Sequence, residues 1–365
     1  MKTVVLTPYC PWPADSGAKI EMLKHLSILK DLGECQLASA TSLPVGRGWE
    51  QAFLSIARDQ GYGVVFREDT LRRLSMAMIL GVLYACAAKG LRLSKAFGHA
   101  NPYHRNAFPA EWWNAVTRDA QLAVVNYSYW AWLPTKVPKV VVLHDLLSEI
   151  MWGGDHTEIE DLRQADLVIV ISKDEEAILN KKGVERTLWS PPLVSPLNTA
   201  LNSRVGCVGS GNAFNIEGLK WLQSAEAFRE VDLTLYGGVS IYAQGPWQRV
   251  SSYADQYRPY RDCGIFLLPT AMGTGVQIKA IEALACGRVI IAREGAMRGL
   301  PPGQGAWIEV SSPVEMLQRL YDVQRDHELL LKQGERARRY YNTFLDSCRV
   351  KERLAEAYVN ILGKI

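Results

Sequence analysis

A glycine turn, a lysine and a glutamate follow one another in the segment Gly273–Glu282, which has the sequence GTGVQIKAIE. The run Gly264–Leu268 before it is apolar and is closed by Pro269, which is typical of a buried strand, and a helical pattern follows the glycines. The segment therefore predicts a helix that begins directly after a strand. Unpaired N–H groups and the helix dipole at such a terminus favour an anion, and glycines let a phosphate approach the backbone.

Lys279 and Glu282 are three residues apart and share one face of the predicted helix. A lysine can bind phosphate oxygens, and an ionised carboxylate can accept two hydrogen bonds from ribose hydroxyls. The pattern thus fits a nucleoside diphosphate. It equally fits ordinary packing of a helix on a sheet, with Ile281 and Leu284 facing the sheet and Lys279 in solvent.

The composition is typical of a soluble globular enzyme. The 365 residues suit two domains, with 48% hydrophobic and 22% charged residues, and the net charge of +3 does not by itself indicate a nucleic-acid partner. The seven cysteines have no paired spacing, which predicts reduced, mostly buried thiols in a cytosolic protein. The N-terminal apolar run ends at Pro8, too early for a signal-peptide core, and predicts a first strand.

Strand and helix patterns alternate along the chain, which predicts parallel sheets covered by helices on both faces. The first half contains predicted strands at Thr3–Thr7, Glu34–Ala40, Gly63–Phe66, Leu122–Asn126, Lys139–Leu143, Leu167–Ile171 and Arg186–Trp189. The proline-rich segment Trp189–Pro196 predicts an interdomain linker. A second set follows, with strands at Arg204–Val208, Leu233–Tyr236, Gly264–Leu268 and Arg288–Ala292 and a helix over Ile216–Arg229. The implied architecture is two α/β domains on either side of a cleft.

Four segments occur in an order that resembles the GT-B glycosyltransferases of the family 4 type. They are the loop PYCPWPADSGAKIEMLKHLSIL after the first strand, an HD pair at 144–145, an ISK run at 171–173, and PTAMGTGVQIKAIEALACG from Pro269. The run Tyr253–Glu282 is similar, more narrowly, to sugar transferases of exopolysaccharide loci. The resemblance covers essentially the whole chain and is weaker between residues 45 and 120.

This resemblance implies the GT-B fold, with two Rossmann-like, doubly wound parallel-sheet domains. The N-terminal domain would span residues 1–195 and bind the acceptor, and the C-terminal domain would span 196–345 and bind a nucleotide-sugar donor. Residues 346–365 would form a helix that packs back toward the N-terminal domain. The implied activity is transfer of a sugar from a UDP- or GDP-sugar, used as a substrate and not as a cofactor, to a glycan or lipid-linked glycan.

The resemblance also implies roles for residues of the second domain. Glu282 would bind the ribose, and Lys279 would bind the diphosphate and stabilise charge on the leaving group. The phosphate site and the face toward the donor sugar would be completed by Gly273, Thr274, Gly275, Val276 and Gln277. Thr274 stands where many family members have a glutamate that contacts the sugar, and the run GSGNAFN at 209–215 lacks the family's arginine and lysine. We therefore expect Lys279 to neutralise more of the negative charge of the phosphates than its counterpart does in the family.

In the first domain, Gly17 matches a glycine that lets its loop meet the diphosphate, and Lys19 would add charge or bind the acceptor. His144 matches a histidine near the donor sugar, which predicts a catalytic role, and Asp145 would orient it or contact the acceptor. A single histidine is more often a packed or surface residue, but the carboxyl end of a strand is where α/β proteins bind ligands. Ser172 is better explained as a helix cap than as a catalytic group.

The implied chemistry is retaining glycosyl transfer without an enzyme nucleophile. The chain has no Asp-x-Asp motif to hold a metal, and no carboxylate pair shows clear nucleophile and acid roles. The run DHTEIED at 155–161 is interpreted as a solvated helix and not as a metal site. We expect no metal.

The acceptor side is less determined. No acidic residue lies between Thr70 and Ala110, and residues 72–95 combine basic ends with an uncharged, largely apolar middle. They fit either an amphipathic helix at the inner face of an anionic membrane or an internal helix with charged ends. An aromatic-rich stretch fits sugar stacking or packing equally well, and comprises Trp112, Trp113, Tyr127, Tyr129, Trp130 and Trp132.

Other functions remain open at this stage. A nucleotide-sugar epimerase and a transferase acting on nucleic-acid bases share the fold, although we expect no nucleic-acid partner. The threonine at position 274 also leaves open a protein that binds nucleotide sugars without turnover.

Overall fold

The structure, a computed structural model, describes residues 1–14, 17–40, 49–67, 108–150, 156–273 and 275–363. The chain forms two compact units. The first comprises Met1–Pro191 together with Val350–Ile365, and the second comprises Pro192–Arg349. Each unit is built on one parallel sheet.

The sheet of the first unit has seven strands in the order β3-β2-β1-β4-β5-β6-β7. They are β1 (Lys2–Leu6), β2 (Glu34–Ala40), β3 (Gly63–Arg67), β4 (Leu122–Asn126), β5 (Lys139–Leu143), β6 (Leu167–Val170) and β7 (Thr187–Trp189). All neighbours are parallel. The order reverses between β1 and β4, and ligands of α/β proteins bind at the carboxyl ends of strands at such a point.

The sheet of the second unit has six parallel strands in the order β10-β9-β8-β11-β12-β13. They are β8 (Val205–Val208), β9 (Leu233–Tyr236), β10 (Gln248–Val250), β11 (Ile265–Leu268), β12 (Val289–Arg293) and β13 (Ile308–Val310). Here the order reverses between β8 and β11.

Helices connect the parallel strands, as crossover connections require. Those of the first unit are α1 (Gly17–Leu32), α2 (Gln51–Asp59), α3 (Ala110–Val116), α4 (Leu147–Ile150), α5 (His156–Arg163) and α6 (Lys173–Lys181). Those that follow are α7 (Ala213–Gln223), α8 (Arg258–Asp262), α9 (Ile278–Ala285), α10 (Pro313–Arg325), α11 (His327–Tyr340) and α12 (Ser347–Leu362), with a π-helical turn at Tyr341–Leu345 before α12.

The predicted two-domain, parallel-sheet α/β architecture is confirmed, and every predicted strand is present to within a residue or two at its ends. Two strands were missed. β10 and β13 are three residues long and lie at the edges of their sheet, so they carry no apolar run. The helix predicted over Ile216–Arg229 begins earlier, because Asn212 caps it by accepting a hydrogen bond from the N–H of Asn215, and it ends at Gln223.

The last helix belongs to the first unit. Leu354, Tyr358 and Ile361 of α12 pack into the same apolar cluster as strand residues such as Val5 and Val124. A hydrogen bond of 2.7 Å joins the Tyr358 hydroxyl to His25 Nδ1 of α1.

A buried lysine on α1 anchors this helix to the end of β7. Lys24 is paired with Glu21 on the same helix and donates to Ser190 Oγ (3.0 Å) and to the carbonyl oxygens of Ser190 and Pro191. These bonds fix α1, whose first residue is Gly17.

The cysteines that the structure describes are free thiols. Five of the six are buried, as predicted, and Cys348 is exposed. Among the described residues, no helix is both long and apolar enough to cross a membrane. Residues 72–95, for which a membrane contact is predicted, lie outside the described residues.

Candidate functional site

The lysine and the glutamate of the sequence motif lie on α9, which follows β11 at the point where the strand order of the second sheet reverses. β11 pairs with β8, with Ile265 opposite Val205. The loops after the two strands, Gly209–Asn212 and Pro269–Gln277, therefore leave the same edge of the sheet side by side.

Lys279 lies in a cluster of neutral oxygen atoms. Its Nζ donates to Asn215 Oδ1 at 2.8 Å and to Thr270 Oγ1 at 3.4 Å. The Thr270 hydroxyl donates to the same Asn215 oxygen at 3.0 Å, and Asn215 Nδ2 donates to Ser210 at 3.1 Å. The side chain is thus half-buried and held in place, so the interpretation of Lys279 as a solvated helix lysine is wrong.

No carboxylate of the described residues neutralises this lysine. Among the described residues, its side-chain hydrogen bonds go to Asn215 and Thr270 only, and no ion pair includes it. Burial, and to a smaller extent the positive charge of Arg298, lower the pKa of Lys279 to about 8. A cation that has lost solvent without gaining an anionic partner is stabilised by any anion that binds beside it.

The glycine turn before α9 strongly favours glycine at position 273. Gly273 and Gly275 have φ values of 117° and 66°, which side chains disfavour. A Cβ on Gly273 would also lie 2.7 Å from Nη2 of Arg298. Thr274 lies outside the described residues, and its role toward the donor sugar stays a prediction.

Arg298 brings a second cation to this turn, and sequence reasoning missed it. It follows β12, and its Nη1 donates to the carbonyl oxygens of Ala271 (3.2 Å), Gly295 (3.2 Å) and Thr270 (3.4 Å). β12 is the neighbour of β11, so the loop after it reaches the same edge of the sheet. A cationic residue shortly after the next predicted strand was the signal that could have identified Arg298.

Gln277 and Val276 connect the turn to α9. Gln277 is the N-cap residue, is 9% exposed, and donates from Nε2 to the carbonyl oxygens of Thr270 (2.8 Å) and Ala296 (2.7 Å). It therefore ties the loop after β11 to the loop after β12. Its Oε1 is buried and has no hydrogen-bond partner within the described part of the chain. Val276 is half-buried beside it.

Glu282 is oriented by a tyrosine. Its Oε2 accepts a hydrogen bond of 2.6 Å from Tyr260 OH on α8, and Oε1 has no partner among the described residues. Burial raises the pKa of Glu282, and the hydrogen bond from Tyr260 opposes this. The pKa of the neighbouring Tyr253 is raised mainly by burial and further by the negative charge of Glu282. The carboxylate thus has one oxygen fixed and one available for a ligand hydroxyl.

His144 lies in the first unit, at the carboxyl end of β5. It is 5% exposed, its Nε2 is 3.3 Å from Asn126 Oδ1, and its ring stacks on Tyr127 at 4.2 Å between centroids. Burial lowers the pKa of His144 to about 4. At neutral pH the imidazole is therefore uncharged and can exchange hydrogen bonds, but it is not a cation.

Tyr127, which stacks on this histidine, has an unusual backbone. Its φ is 69°, a region that bulky residues rarely adopt and that is found preferentially at functional sites. Its hydroxyl is hydrogen-bonded to that of Tyr9, which follows β1. In the neighbouring aromatic stretch, Trp113 and Trp130 are fully buried, so their role is packing.

Gly17 and Lys19 lie in the first turn of α1, after β1. Both residues are half-buried. Burial raises the pKa of the Cys10 thiol, and the positive charge of the nearby Lys19 lowers it in part. Asp145 follows His144 directly and is half-buried. Gly17 and Lys19 thus begin the helix that follows β1, and Asp145 lies two residues beyond the end of β5.

The run predicted as a solvated helix at 155–161 is helical from His156, but it is not solvated, since Glu158 and Asp161 are buried. Glu158 is fully buried and accepts hydrogen bonds from Ser128 Oγ (2.5 Å) and from the N–H groups of Leu147 (3.2 Å) and Ser148 (2.7 Å). These donors explain why a carboxylate is buried there: it holds the loop that follows His144. In the part of the chain that the structure describes, no three metal-binding side chains come together.

Ser172 is a helix cap, as predicted. Its hydroxyl accepts from the N–H of Glu175 at the start of α6, at 3.5 Å. Glu175 in turn accepts a hydrogen bond of 2.9 Å from the N–H of Leu146. Burial raises the pKa of Glu175 to about 8.

No protein-family model and no curated protein sequence matches the chain. Solved structures do. Sucrose-phosphate synthase from Thermosynechococcus elongatus is 15% identical, with a TM-score of 0.69 and complete coverage of both chains. The Anabaena protein HepE in complex with UDP-glucose is 15% identical, with a TM-score of 0.65 over 99% of this chain and 100% of that one.

A third similar structure is an α-glucosyltransferase in complex with UDP and a DNA 13-mer containing an HMU base. It is 12% identical, with a TM-score of 0.56 over 100% of this chain and 99% of that one. Similarity at these identities concerns the fold. Together with the two parallel sheets, it shows the GT-B fold that the sequence resemblance predicts.

Proposed function

We propose that this chain is a glycosyltransferase that moves a sugar from a nucleoside diphosphate sugar to a glycan or lipid-linked glycan. The observation that carries the proposal is the half-buried Lys279, which has only neutral hydrogen-bond partners among the described residues and lies one helical turn before the tyrosine-oriented Glu282. The unpaired lysine fits the diphosphate of such a donor. The carboxylate, which has one oxygen available, fits a hydroxyl of the ribose.

The donor would bind with its diphosphate at the N-terminus of α9. The N–H groups of the turn at Gly273–Gln277 and the helix dipole favour negative charge there. Lys279 would bind phosphate oxygens, and Glu282 Oε1 would accept from a ribose hydroxyl. The Anabaena neighbour was solved with UDP-glucose, so UDP-glucose is the first donor to test.

The chemical step would proceed with retention, by attack on the face from which the nucleoside diphosphate departs, as the resemblance to the family 4 type implies. The ammonium of Lys279 would stabilise the charge that develops on the leaving phosphate oxygen. His144, neutral at physiological pH, would hydrogen-bond the transferred sugar. This scheme needs neither an enzyme nucleophile nor a metal ion.

A nucleotide-sugar panel tests the donor assignment. We expect one nucleoside diphosphate sugar to raise the melting temperature, since a ligand that binds only the folded state stabilises it. Lys279→Ala should abolish both this shift and transfer, while Lys220→Ala, which removes an exposed lysine of α7, should change neither. The proposal is refuted if no nucleoside diphosphate sugar binds, or if Lys279→Ala turns over normally.

Transfer to a nucleic-acid base is the second candidate, and the similarity to the α-glucosyltransferase solved with UDP and DNA favours it. Product analysis with DNA, water and glycan acceptors separates the two transferases. Epimerised nucleotide sugar would indicate an epimerase, and tight binding without any product would indicate a non-catalytic protein.

We also propose that residues 72–95 contact an anionic membrane that carries the acceptor. Their basic ends and uncharged middle support this. The chain should float with vesicles of anionic lipid at low salt and stay unbound with neutral lipid. Absence of binding at low salt, where attraction is strongest, would refute the membrane contact.

A further inference from the structure

The loop after β8 carries no positive charge, although it borders the proposed diphosphate site. Residues 209–215 have the sequence GSGNAFN, and the side chain that reaches Lys279 from this segment is the neutral Asn215. A diphosphate carries more than one negative charge, so Lys279 alone would leave part of that charge unpaired. The structure offers a second cation from the other side of β11.

Arg298 and Lys279 both donate hydrogen bonds to Thr270. Lys279 Nζ donates to the side-chain hydroxyl of Thr270, and Arg298 Nη1 donates to the main-chain carbonyl of the same threonine, both at 3.4 Å. Thr270 is the second residue after β11 and is 4% exposed. The two cations thus approach the start of the glycine turn from α9 and from the loop after β12.

The guanidinium lies directly against the turn. Its Nη2 is 2.7 Å from the position that a Cβ on Gly273 would occupy, so the absence of a side chain there is what lets it approach. The charge of Arg298 also lowers the pKa of Lys279, after the larger effect of burial. The two like charges repel each other, and an anion bound between them would be attracted by both.

We propose that Arg298 is a second phosphate-binding residue of this site, and that Arg298 and Lys279 together select a diphosphate over a monophosphate. This inference rests on the proposed function. The guanidinium suits phosphate oxygens because it stays charged and its N–H groups form charge-assisted hydrogen bonds with them. The charge that the loop after β8 lacks is supplied by the loop after β12.

A purely structural role for Arg298 predicts a different result. Its three bonds to carbonyl oxygens brace the glycine turn against Gly295. Loss of this brace would weaken every ligand of the site alike. Direct phosphate binding would weaken the diphosphate more than the monophosphate, so the affinity ratio of UDP to UMP, or of GDP to GMP, separates the two roles.

The experiment is calorimetric titration of the full chain with UDP, UMP, GDP and GMP. Arg298→Gln should weaken diphosphate binding by about 10- to 100-fold, the value of a charge-assisted hydrogen bond, and monophosphate binding much less. Arg298→Lys should lower the ratio of diphosphate to monophosphate affinity by a smaller factor. Arg293→Gln is the matched control, because Arg293 ends β12 and already pairs with Glu217 at 2.9 Å, and its ratio should stay that of the unmodified chain.

The outcomes are distinct. If the unmodified chain binds no nucleoside diphosphate, the proposed function fails and the role of Arg298 with it. If the chain binds a diphosphate and Arg298→Gln keeps the ratio, only the role of Arg298 is refuted. If Arg298→Gln does not fold, Arg298→Lys decides: an unchanged ratio refutes the inference, and a reduced ratio supports it.

Discussion

Binding of a nucleoside diphosphate should weaken tenfold between pH 7 and pH 9, because Lys279 loses its proton over this range. The pKa of this lysine is lowered from 10.5 to about 8, first by burial and then by Arg298. An anion binds the protonated form, so the pKa rises when the diphosphate is bound. Affinity therefore begins to fall between pH 7 and pH 8, where the free lysine becomes half deprotonated, and falls further as the pH rises to 9.

The magnitude follows from the protonated fraction of the free lysine. With a pKa of about 8, this fraction is about 0.9 at pH 7 and about 0.1 at pH 9, so the dissociation constant rises about tenfold, or by about 1.4 kcal/mol. The phosphates stay ionised throughout, since a phosphate monoester has its second pKa near 6.

Calorimetric titration at pH 7, 8 and 9, at constant ionic strength, measures this dependence. Lys279→Arg is the control, because a guanidinium stays charged over the whole range. Its pH profile should be flat, apart from any effect of the nucleotide itself, which both proteins share. Equal slopes for the two proteins would refute the assignment of Lys279 as the titrating cation.

Three further predictions concern the same site. Without ligand, Lys279→Met should raise the free energy of unfolding at pH 7 by up to about 3 kcal/mol, because the folded chain holds this proton less tightly than the unfolded chain. The gain should shrink by pH 10, and a denaturant titration that shows no gain at pH 7 contradicts the account. Glu282→Ala should remove the preference for a ribonucleotide over its deoxyribonucleotide, measured as the affinity ratio of UDP to dUDP; a retained preference excludes Glu282 as the ribose ligand. Gly273→Ala should lower stability and nucleotide affinity, since its φ is 117° and its Cβ would contact Arg298, whereas Gly245→Ala, with a φ of 126° and open space around it, should lower stability only, by about 1–3 kcal/mol. Equal nucleotide affinities in these two glycine variants would refute the role of the close contact.

The strands and the place of Lys279 and Glu282 could be predicted from the sequence because their signals are local. Apolar runs between turn residues identify β1, β4, β5 and β11, and a three-residue spacing puts the lysine and the glutamate on one helix face. The short edge strands β10 and β13 lack such runs and escaped prediction.

The contacts that equip the site could not be read from the sequence. Arg298 is nineteen residues beyond Lys279, and Tyr260 is twenty-two residues before Glu282. Nothing in these spacings links the residues, because the parallel sheet brings them together by placing consecutive loops at one edge. Glu158 is the opposite case. Its acidic sequence neighbours predicted a solvent-exposed side chain, but the fold buries it and supplies three hydrogen-bond donors to its carboxylate.

By itself, the sequence determined most of the strands, where the glycine turn lies, and that a cation and a carboxylate share a helix face. These properties depend on residues within a few positions of one another, where backbone geometry alone sets the distances. Only the tertiary structure decided that Lys279 is half-buried among neutral oxygens with Arg298 close by. Burial and charge at one atom depend on Asn215, Thr270 and Arg298, which follow β8, β11 and β12 and come together only when the sheet forms.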